Sequence, residues 1–469
     1  MVGDSVNTHY DLIIIGTGSG NTILDERFTD KRVAIVEKGA FGGTCLNVGC
    51  IPTKMYVLAA DAAYAPRESD RLGIGLEYKG ADWNAIKDRV FTNRIDLIAA
   101  GGEEYRRSDE CPNVDVYDQP AYFTGPRTIA TGTADGPATI TADQVLIAAG
   151  SRPRIPEWAE GVNYHTNEDI MRLDALPESL IIVGGGFIAM EFAHVFDALG
   201  TKVTIVSRSQ MLRSLDPTIR DAFNELAPER FNVVHSGITS ARNTEGGIEL
   251  LLDDGTTLPS QHLLLATGRI PNGDELRAVD GGVELHPDGR IKVDEFGRTT
   301  AEGVWALGDV SSPYQLKHVA NAEARAVAAN IVSQFEGKAP QRTMPHEHVP
   351  YAVFTHPQIA TVGLNEDQAR EQGYDVTVKV QRYGDVAYGW ALEDTTGLVK
   401  LIADKATGRL LGAHYMGPQA SSLIQQAITI MAFDLDLREV ARKQYWIHPA
   451  LPEVTENAIL GLELDFVDA

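Results

Sequence analysis

Asp11-Leu-Ile-Ile-Ile-Gly16-Thr17-Gly18-Ser19-Gly20-Asn21 decides how this chain folds. A short apolar, β-branched run enters a glycine turn, and the polar segment behind it is expected to be helical. About twenty residues on, Val33-Ala34-Ile35-Val36-Glu37 supplies a second strand that ends in an acid. A glycine turn lets the backbone approach a pyrophosphate at a helix N-terminus, and the acid can accept hydrogen bonds from ribose hydroxyls. A lone G-x-G-x-x-G is weak evidence, but strand, turn, helix, strand and acid in that order predict a dinucleotide-binding unit. The third glycine position holds Asn21, so close packing there must tolerate a side chain or shift to Gly20.

A second such unit starts at Leu180-Ile-Ile-Val183 and turns through Gly184-Gly185-Gly186-Phe187-Ile188-Ala189 into a helix expected to begin near Met190. Alanine is accepted at the close-packing position. The next strand, Lys202 to Val206, ends at Ser207, with Arg208 and Arg213 following. An acid at that strand end would hold the ribose of NAD but repel a 2′-phosphate, for which arginines are the complement. Ser207, Arg208 and Arg213 therefore favour NADPH. Leu263 to Asn272, with Gly268, closes this unit much as Val145 to Pro153, with Gly150, closes the first; Pro153 and Pro156 mark a boundary. Two fingerprints in one chain imply two nucleotides, one passing electrons to the other.

Between the fingerprints lies Gly42-Gly43-Thr44-Cys45-Leu46-Asn47-Val48-Gly49-Cys50-Ile51-Pro52-Thr53-Lys54. We read its two cysteines as a redox-active disulfide. A disulfide needs Cα atoms within roughly 7 Å, and a regular helix holds i and i+5 somewhat further apart, so the backbone between them must deviate. Gly49 can supply the deviation, and Gly42-Gly43 admits a close partner. The alternatives are a zinc half-site, opposed by the absence of a second Cys/His cluster, and two isolated buried thiols. Cys111, beside Pro112 in a polar stretch, reads as a bystander.

Composition narrows the classes. The 469 residues suggest about three domains. The 44 glycines and 43% hydrophobic content suit an α/β protein. A net charge of −24 argues against nucleic acid or anionic membrane as main partner. Met1 to Tyr10 is polar, and Leu12 to Ile15 is too short for a signal segment or a spanning helix, so a cytoplasmic location is expected. Three cysteines are unlike a secreted disulfide framework, and a disulfide in a reducing compartment is catalytic more often than structural. Ala59 to Tyr105 reads as two helices without chemistry of their own. Beyond Glu336, Ala352 to Phe354, Ile359 to Val362 and Leu398 to Ile402 read as strands, followed by a helix over Ala420 to Phe433. His346 and His348 lack a third ligand and read as loop residues; no metal is expected. In Tyr445-Trp-Ile-His448-Pro-Ala450-Leu-Pro-Glu453, the His and Glu suggest an imidazole whose second nitrogen is held by a carboxylate.

Gly42 to Lys54 resembles, almost residue for residue, the redox motif of the flavin-dependent pyridine nucleotide-disulfide oxidoreductases, the group that contains glutathione reductase, lipoamide dehydrogenase and mercuric reductase. The resemblance implies an α/β fold of two Rossmann-like dinucleotide-binding domains plus an α+β C-terminal dimerisation domain. The chain would divide into residues 1–154 (FAD-binding, first part), 155–275 (NADPH-binding), 276–340 (FAD-binding and central, second part) and 341–469 (interface). FAD would lie against Gly16, Gly18, Glu37, Gly43, Thr44, Lys54, Gly150 and Asp309, the last hydrogen-bonded to the ribityl chain. NADPH would lie against Gly184, Gly186, Phe187, Ile188, Glu191, Ser207, Arg208, Arg213 and Gly268, with Phe187 at the nicotinamide. Cys50 would face the flavin and Cys45 would attack a small-molecule disulfide. Lys54 and Glu191 would pair near the flavin's reactive nitrogen, because burying either charge alone is costly. His448 matches the group's His-Pro-Thr-x-x-Glu motif, with Ala450 in place of threonine. It would act on the disulfide of the other subunit in a homodimer, keeping Cys45 as thiolate, with Glu453 orienting it.

Within the group, Gly16 to Arg27, the Cys-Leu-Asn-Val-Gly-Cys-Ile-Pro-Thr-Lys form, Gly384 to Ala391 and Tyr445 to Glu453 resemble the branch whose substrate is mycothione, the disulfide of the sugar-containing thiol mycothiol. Asn21 and Ala450 are then features of that branch. Met55 to Tyr64 lacks arginine, whereas a site for glutathione disulfide would offer cations to its carboxylates. A large thioredoxin reductase would carry a second redox pair at the C-terminus, yet Glu463 to Ala469 has no cysteine, and mercuric reductase would carry further cysteines. Lipoamide dehydrogenase is opposed by Ser207, Arg208 and Arg213. A transhydrogenase without a dithiol step, or a non-catalytic nucleotide-binding partner, is disfavoured by both cysteines standing with His448 and Glu453. Tyr445 and Trp446 would line the substrate cleft or fill the dimer interface.

Overall fold

The computed structural model describes residues 7–464. The first six residues, and all but the start of the cysteine-free tail Glu463 to Ala469, lie outside the described residues. The apolar run at the N-terminus forms the strand Asn7–Ile15, paired in parallel on one side with Val33–Val36 and on the other with Gly136–Ile147. From Leu12 onward its residues alternate between two cores: Ile13 and Ile15 face one layer, which Tyr10 also joins, and Leu12 and Ile14 the other. Burial on both faces explains why the run is continuously apolar. Val114–Tyr117 extends this sheet at one edge, and the antiparallel strands Thr128–Thr133 and Tyr122–Gly125 at the other.

Ser179–Val183 begins a second sheet, four strands and all parallel, in the order Asn232–His235, Lys202–Ser207, Ser179–Val183, His262–Leu265. A three-stranded antiparallel sheet, Ile238–Thr244, Gly247–Leu252 and Thr257–Ser260, packs on it. The chain then returns: Ser151–Pro153 pairs with Arg269–Pro271, and Val304–Ala306 joins the first sheet beside Gly136–Ile147. The third layer is a five-stranded antiparallel sheet in the order Tyr351–Val353, Ile359–Gly363, Leu410–Met416, Leu398–Asp404, Val376–Arg382, covered by the helix Ala420–Ala432.

Several local expectations change. No α-helix follows the first glycine turn. Gly20–Ile23 and Glu26–Phe28 are 3₁₀ turns, because Thr22 Oγ1 bonds back to the Ser19 carbonyl and Asp25 caps the Arg27 N–H. Close packing does shift to Gly20, where a Cβ would lie 2.5 Å from Ala148 Cβ, while Asn21 Oδ1 accepts from Arg106 at 3.0 Å. In the second unit the helix is Phe187–Ala198 and starts before Met190. The two helices read over Ala59 to Tyr105 are Cys50–Tyr64 and a longer run in which Trp83–Val90, a π turn at Phe91–Ile95 and Asp96–Arg107 follow without a break; short turns lie between them. The third sheet contains two strands more than were read, Val376–Arg382 and Leu410–Met416. Cys111 is buried, with Arg106 Nη1 3.6 Å from its sulfur.

Candidate active site

Cys45 lies in the short helix Gly43–Asn47, and Cys50 opens the helix Cys50–Tyr64. The two form a disulfide with Cα atoms 4.8 Å apart. The backbone leaves helical space at Val48 (φ −144°, ψ 18°) and Gly49 (φ −136°, ψ −126°), which is how residues five apart come so near. Gly49 has no room for a side chain, since a Cβ there would sit 2.9 Å from the Thr44 carbonyl oxygen. Cys50 is the more exposed of the pair.

This loop is pressed onto the first glycine turn. A Cβ on Gly43, which has φ +65°, would come within 2.8 Å of Gly18 Cα. Thr17 joins the parts: its Oγ1 donates to Glu37 Oε2 at 2.7 Å and accepts from the Gly42 N–H at 3.1 Å. Glu37 also accepts from the N–H groups of Thr17 and Gly39, and its remaining lone pairs suit ribose hydroxyls. A residue the sequence did not single out, Lys317, places Nζ 2.9 Å from Ser19 Oγ, so a cation stands at the turn, where a diphosphate is complemented. Asp309 Oδ2 accepts from Ser151 Oγ at 2.9 Å. Burial pushes this carboxyl up, which suits a hydroxyl partner for it. The small-residue cradle and the Asp309 carboxylate fit FAD. Gly150, at φ +67°, lies open at the end of the strand that closes this unit.

The second turn repeats the geometry of the first. Gly16 and Gly184 both have positive φ, and a Cβ on either would strike a carbonyl, that of Ala148 at 2.3 Å or that of Ala266 at 2.2 Å. Gly186 faces open space at the uncapped N-terminus of Phe187–Ala198, where the amides of Phe187 and Ile188 can meet phosphate. Gly268 closes the unit at φ +113°. Ser207 Oγ donates to the Ser209 carbonyl at 2.7 Å. Arg208 and Arg213 are exposed and, among the described residues, make neither ion pair nor hydrogen bond. Arg213 lines an open pocket with Ser209, Gln210, Ser214 and Arg220, a second arginine that sequence spacing missed.

Lys54 and Glu191 do not touch. Lys54 Nζ sits 4.2 Å from the centre of the Phe354 ring, and Glu191 Oε1 accepts the Phe354 N–H at 3.0 Å. In place of the expected ion pair, each makes a contact to Phe354, just past the third sheet's edge strand Tyr351–Val353. Burial raises the Glu191 carboxyl to about 7, partly offset by the Phe354 N–H and the Lys54 charge. Burial also lowers Lys54, opposed by Asp61 and Glu191.

His448 Nδ1 hydrogen-bonds Glu453 Oε1 at 2.7 Å, and Glu453 Oε2 accepts the Ala450 N–H at 3.0 Å, so Ala450 contributes its backbone to the motif. The imidazole contact holds the Glu453 carboxyl below its usual range. With Nδ1 engaged, Nε2 is the nitrogen left for a proton. The His448 side chain is 68% exposed, and no hydrogen bond or ion pair joins it to the cysteines of its own chain. Tyr445 is 99% exposed beside it, whereas Trp446 packs against the core of the third sheet. His346 pairs with buried Glu323 at 2.6 Å, and no group of three metal-ligating side chains occurs among the described residues. No described helix is long and apolar enough to cross a membrane.

The model of the pyridine nucleotide-disulphide oxidoreductase family matches residues 10–326, and that of its dimerisation domain matches residues 349–459. The chain is 55% identical over 461 residues to mycothione reductase of Mycobacterium tuberculosis, covering 97% of this chain and 99% of that one. It is 34% identical to mercuric reductase of Streptomyces lividans, covering 95% of this chain and 94% of that one. It is also 34% identical to glutathione reductase of Burkholderia cepacia, covering 95% of this chain and 97% of that one. Among solved structures, the HOCl-induced flavoprotein disulfide reductase RclA from Escherichia coli, as its Cu(II) complex, superposes with a TM-score of 0.83 at 26% identity, covering 97% of this chain and 99% of that one.

Proposed function

Because the chain belongs to the pyridine nucleotide-disulphide oxidoreductase family, we propose that it reduces mycothione to two molecules of mycothiol through the Cys45–Cys50 disulfide. The observation that carries this reading is the Cys45–Cys50 disulfide set against the first glycine turn, in a chain 55% identical along nearly its whole length to a mycothione reductase. The enzyme uses FAD and NADPH: NADPH would supply the two electrons that open the disulfide and FAD would relay them. FAD lies against Gly16, Gly18, Glu37, Gly43, Thr44, Lys54, Gly150 and Asp309. NADPH lies against Gly184, Gly186, Phe187, Ile188, Glu191, Ser207, Arg208, Arg213 and Gly268. We take the chain to divide into residues 1–154, 155–275, 276–340 and 341–469.

The cysteines have separate tasks. Cys50 begins a fifteen-residue helix, whose N-terminal partial charge favours its thiolate. Cys45 as thiolate attacks one sulfur of mycothione. The substrate S–S bond breaks, a mixed disulfide forms on Cys45, and the first mycothiol leaves with a proton from His448 Nε2. Cys50 then attacks Cys45, restoring the internal disulfide and releasing the second mycothiol. Glu453 holds the imidazole in the tautomer that this exchange needs. The exposure of His448 and the dimerisation domain around it support a homodimer in which each His448 serves the other subunit's cysteines. We place the enzyme in the cytoplasm, where a dithiol can be cycled.

The test is NADPH-driven reduction of a panel: mycothione, glutathione disulfide, lipoamide and Hg(II). Mycothione is expected to give the highest kcat/KM. A clear preference for lipoamide, with NADH better than NADPH, would overturn the assignment.

A further inference from the structure

The backbone carbonyl of Val48, between the two cysteines, is held from the second nucleotide-binding unit. Asn167 Nδ2 donates to Val48 O at 2.9 Å. Asn167 Oδ1 accepts from Arg269 Nη1 at 3.1 Å. A guanidinium only donates and a backbone carbonyl only accepts, so the amide has one orientation that satisfies both. Arg269 continues the chain: Nε donates to Ser151 Oγ at 2.8 Å and Nη2 to the Ser151 carbonyl at 2.6 Å. Ser151 Oγ in turn donates to Asp309 Oδ2 at 2.9 Å. One connected set of hydrogen bonds thus runs from the cysteine loop to the carboxylate that fits the FAD ribityl chain.

Asn167 is 7% exposed and sits on a segment with little freedom. The His165 N–H bonds Leu263 O at 2.7 Å and the Leu265 N–H bonds His165 O at 2.8 Å, so the segment is stitched to the second sheet. Asp169 closes the turn by accepting from the Thr166 N–H at 2.8 Å. The His165 ring is fixed between Asp169 Oδ2 and His262 Nδ1. The Val48 carbonyl needs such a partner: it lies at the end of Gly43–Asn47, where the helical ladder stops and Gly49 turns the chain toward Cys50.

We propose that Asn167 is a positioning residue for the dithiol step, holding the peptide between Cys45 and Cys50 in the geometry of the closed disulfide through its bond to Val48 O. This rests on the proposal that Cys45–Cys50 is the working redox pair. Opening the bond lets the sulfurs separate and strains or releases the Val48 contact, so the hydrogen bond stabilises the disulfide over the dithiol. A net hydrogen bond of about 1 kcal/mol corresponds to a several-fold change in the dithiol–disulfide equilibrium, and a full tenfold change to about 30 mV for this two-electron couple.

The test uses the full-length, FAD-loaded dimer and three variants. Asn167→Ala removes both contacts. Asn167→Asp keeps an acceptor for Arg269 but presents oxygen, not N–H, to Val48 O. Asn167→Ser replaces Ala if that variant does not retain FAD. The Cys45–Cys50 couple is titrated in dithiothreitol redox buffers, with the fraction reduced read by thiol alkylation and mass spectrometry, alongside kcat for mycothione. Both Asn167→Ala and Asn167→Asp are expected to shift the equilibrium three- to tenfold toward dithiol, with Asp at least as strong as Ala. A wild-type equilibrium in Asn167→Asp would assign Asn167 to packing on Arg269 and overturn the inference. Wild-type enzyme whose cysteines do not cycle with NADPH would overturn the working-dithiol proposal itself, a result the alkylation assay reads separately.

Discussion

Arg208 and Arg213 provide the sharpest handle on cofactor choice, because neither is committed elsewhere among the described residues. In the double variant Arg208→Leu/Arg213→Leu, the 2′-phosphate of NADPH loses two charge-assisted partners. Such bonds contribute about 1.5–3 kcal/mol each. Both side chains are exposed, so solvent screening places them at the low end, and two at about 1.5 kcal/mol sum to about 3 kcal/mol. At tenfold per 1.4 kcal/mol, kcat/KM for NADPH should fall about a hundredfold. NADH lacks the phosphate, and its kcat/KM should move by less than about threefold. The assay is initial rate with saturating mycothione and each nucleotide varied. Salt gives a second readout. Raising ionic strength from 0.01 to 0.15 M shortens the screening length from about 30 to 8 Å, so the wild-type advantage of NADPH over NADH should shrink with salt while that of the variant stays flat. Parallel loss with both nucleotides, or an unchanged NADPH rate, would refute the assignment of these arginines.

Three further outcomes are expected. Cys45→Ser should abolish disulfide turnover yet leave reduction of bound flavin by NADPH intact in stopped-flow absorbance; loss of both in a folded, FAD-loaded variant would count against the separate tasks of the cysteines. His448→Gln should lower kcat by about 10²–10⁴-fold, whereas near-normal turnover would remove it from the chemistry. Lys400 Nζ lies 3.0 Å from both Asp216 Oδ2 and Glu366 Oε2, joining the third sheet to the second nucleotide-binding unit. Lys400→Met leaves buried Asp216 without its lysine and should cost about 3–5 kcal/mol in urea unfolding, most of it recovered by adding Asp216→Asn. Burial alone would raise the Asp216 carboxyl, but His414, Lys400 and the Thr218 N–H together hold it below its ordinary value. Its stabilisation is therefore present above the unfolded carboxylate pKa of about 3.9 and lost as pH falls through the lower folded value, so the deficit of Lys400→Met should narrow on acidification.

What was legible in the sequence depended on how local the signal is. Gly16 and Gly184 announce themselves because each needs a positive φ against a neighbouring carbonyl, and the surrounding apolar runs fix where the strands lie. His448 and Glu453 meet within one turn of chain, so their spacing suffices. The segment after Gly20 misled because its Thr, Asn and Asp side chains bond to nearby backbone and favour turns over helix. Leu410–Met416 contains Gly412 and His414 and does not alternate, yet every residue in it is buried. Lys317 and Arg269 carry no motif of their own: they reach Ser19 and Ser151 across hundreds and more than a hundred positions, and only the folded sheets bring them together. The lack of a direct Lys54–Glu191 contact was not legible for the same reason, since both side chains meet Phe354, just past the third sheet's edge strand.

The tight loop between Cys45 and Cys50 also sets a clock. With Cα atoms 4.8 Å apart in the closed form, Cys50 attacks a mixed disulfide on Cys45 as an intramolecular nucleophile. Well-oriented intramolecular partners behave as if present at about 10⁵ M or more, far above any thiol in solution. The covalent enzyme–mycothiol adduct should therefore be too short-lived to accumulate in the intact protein, and external thiols should be unable to divert it. Removing Cys50 alone would turn that fleeting species into a stable one, open to capture with a single mycothiol attached to Cys45.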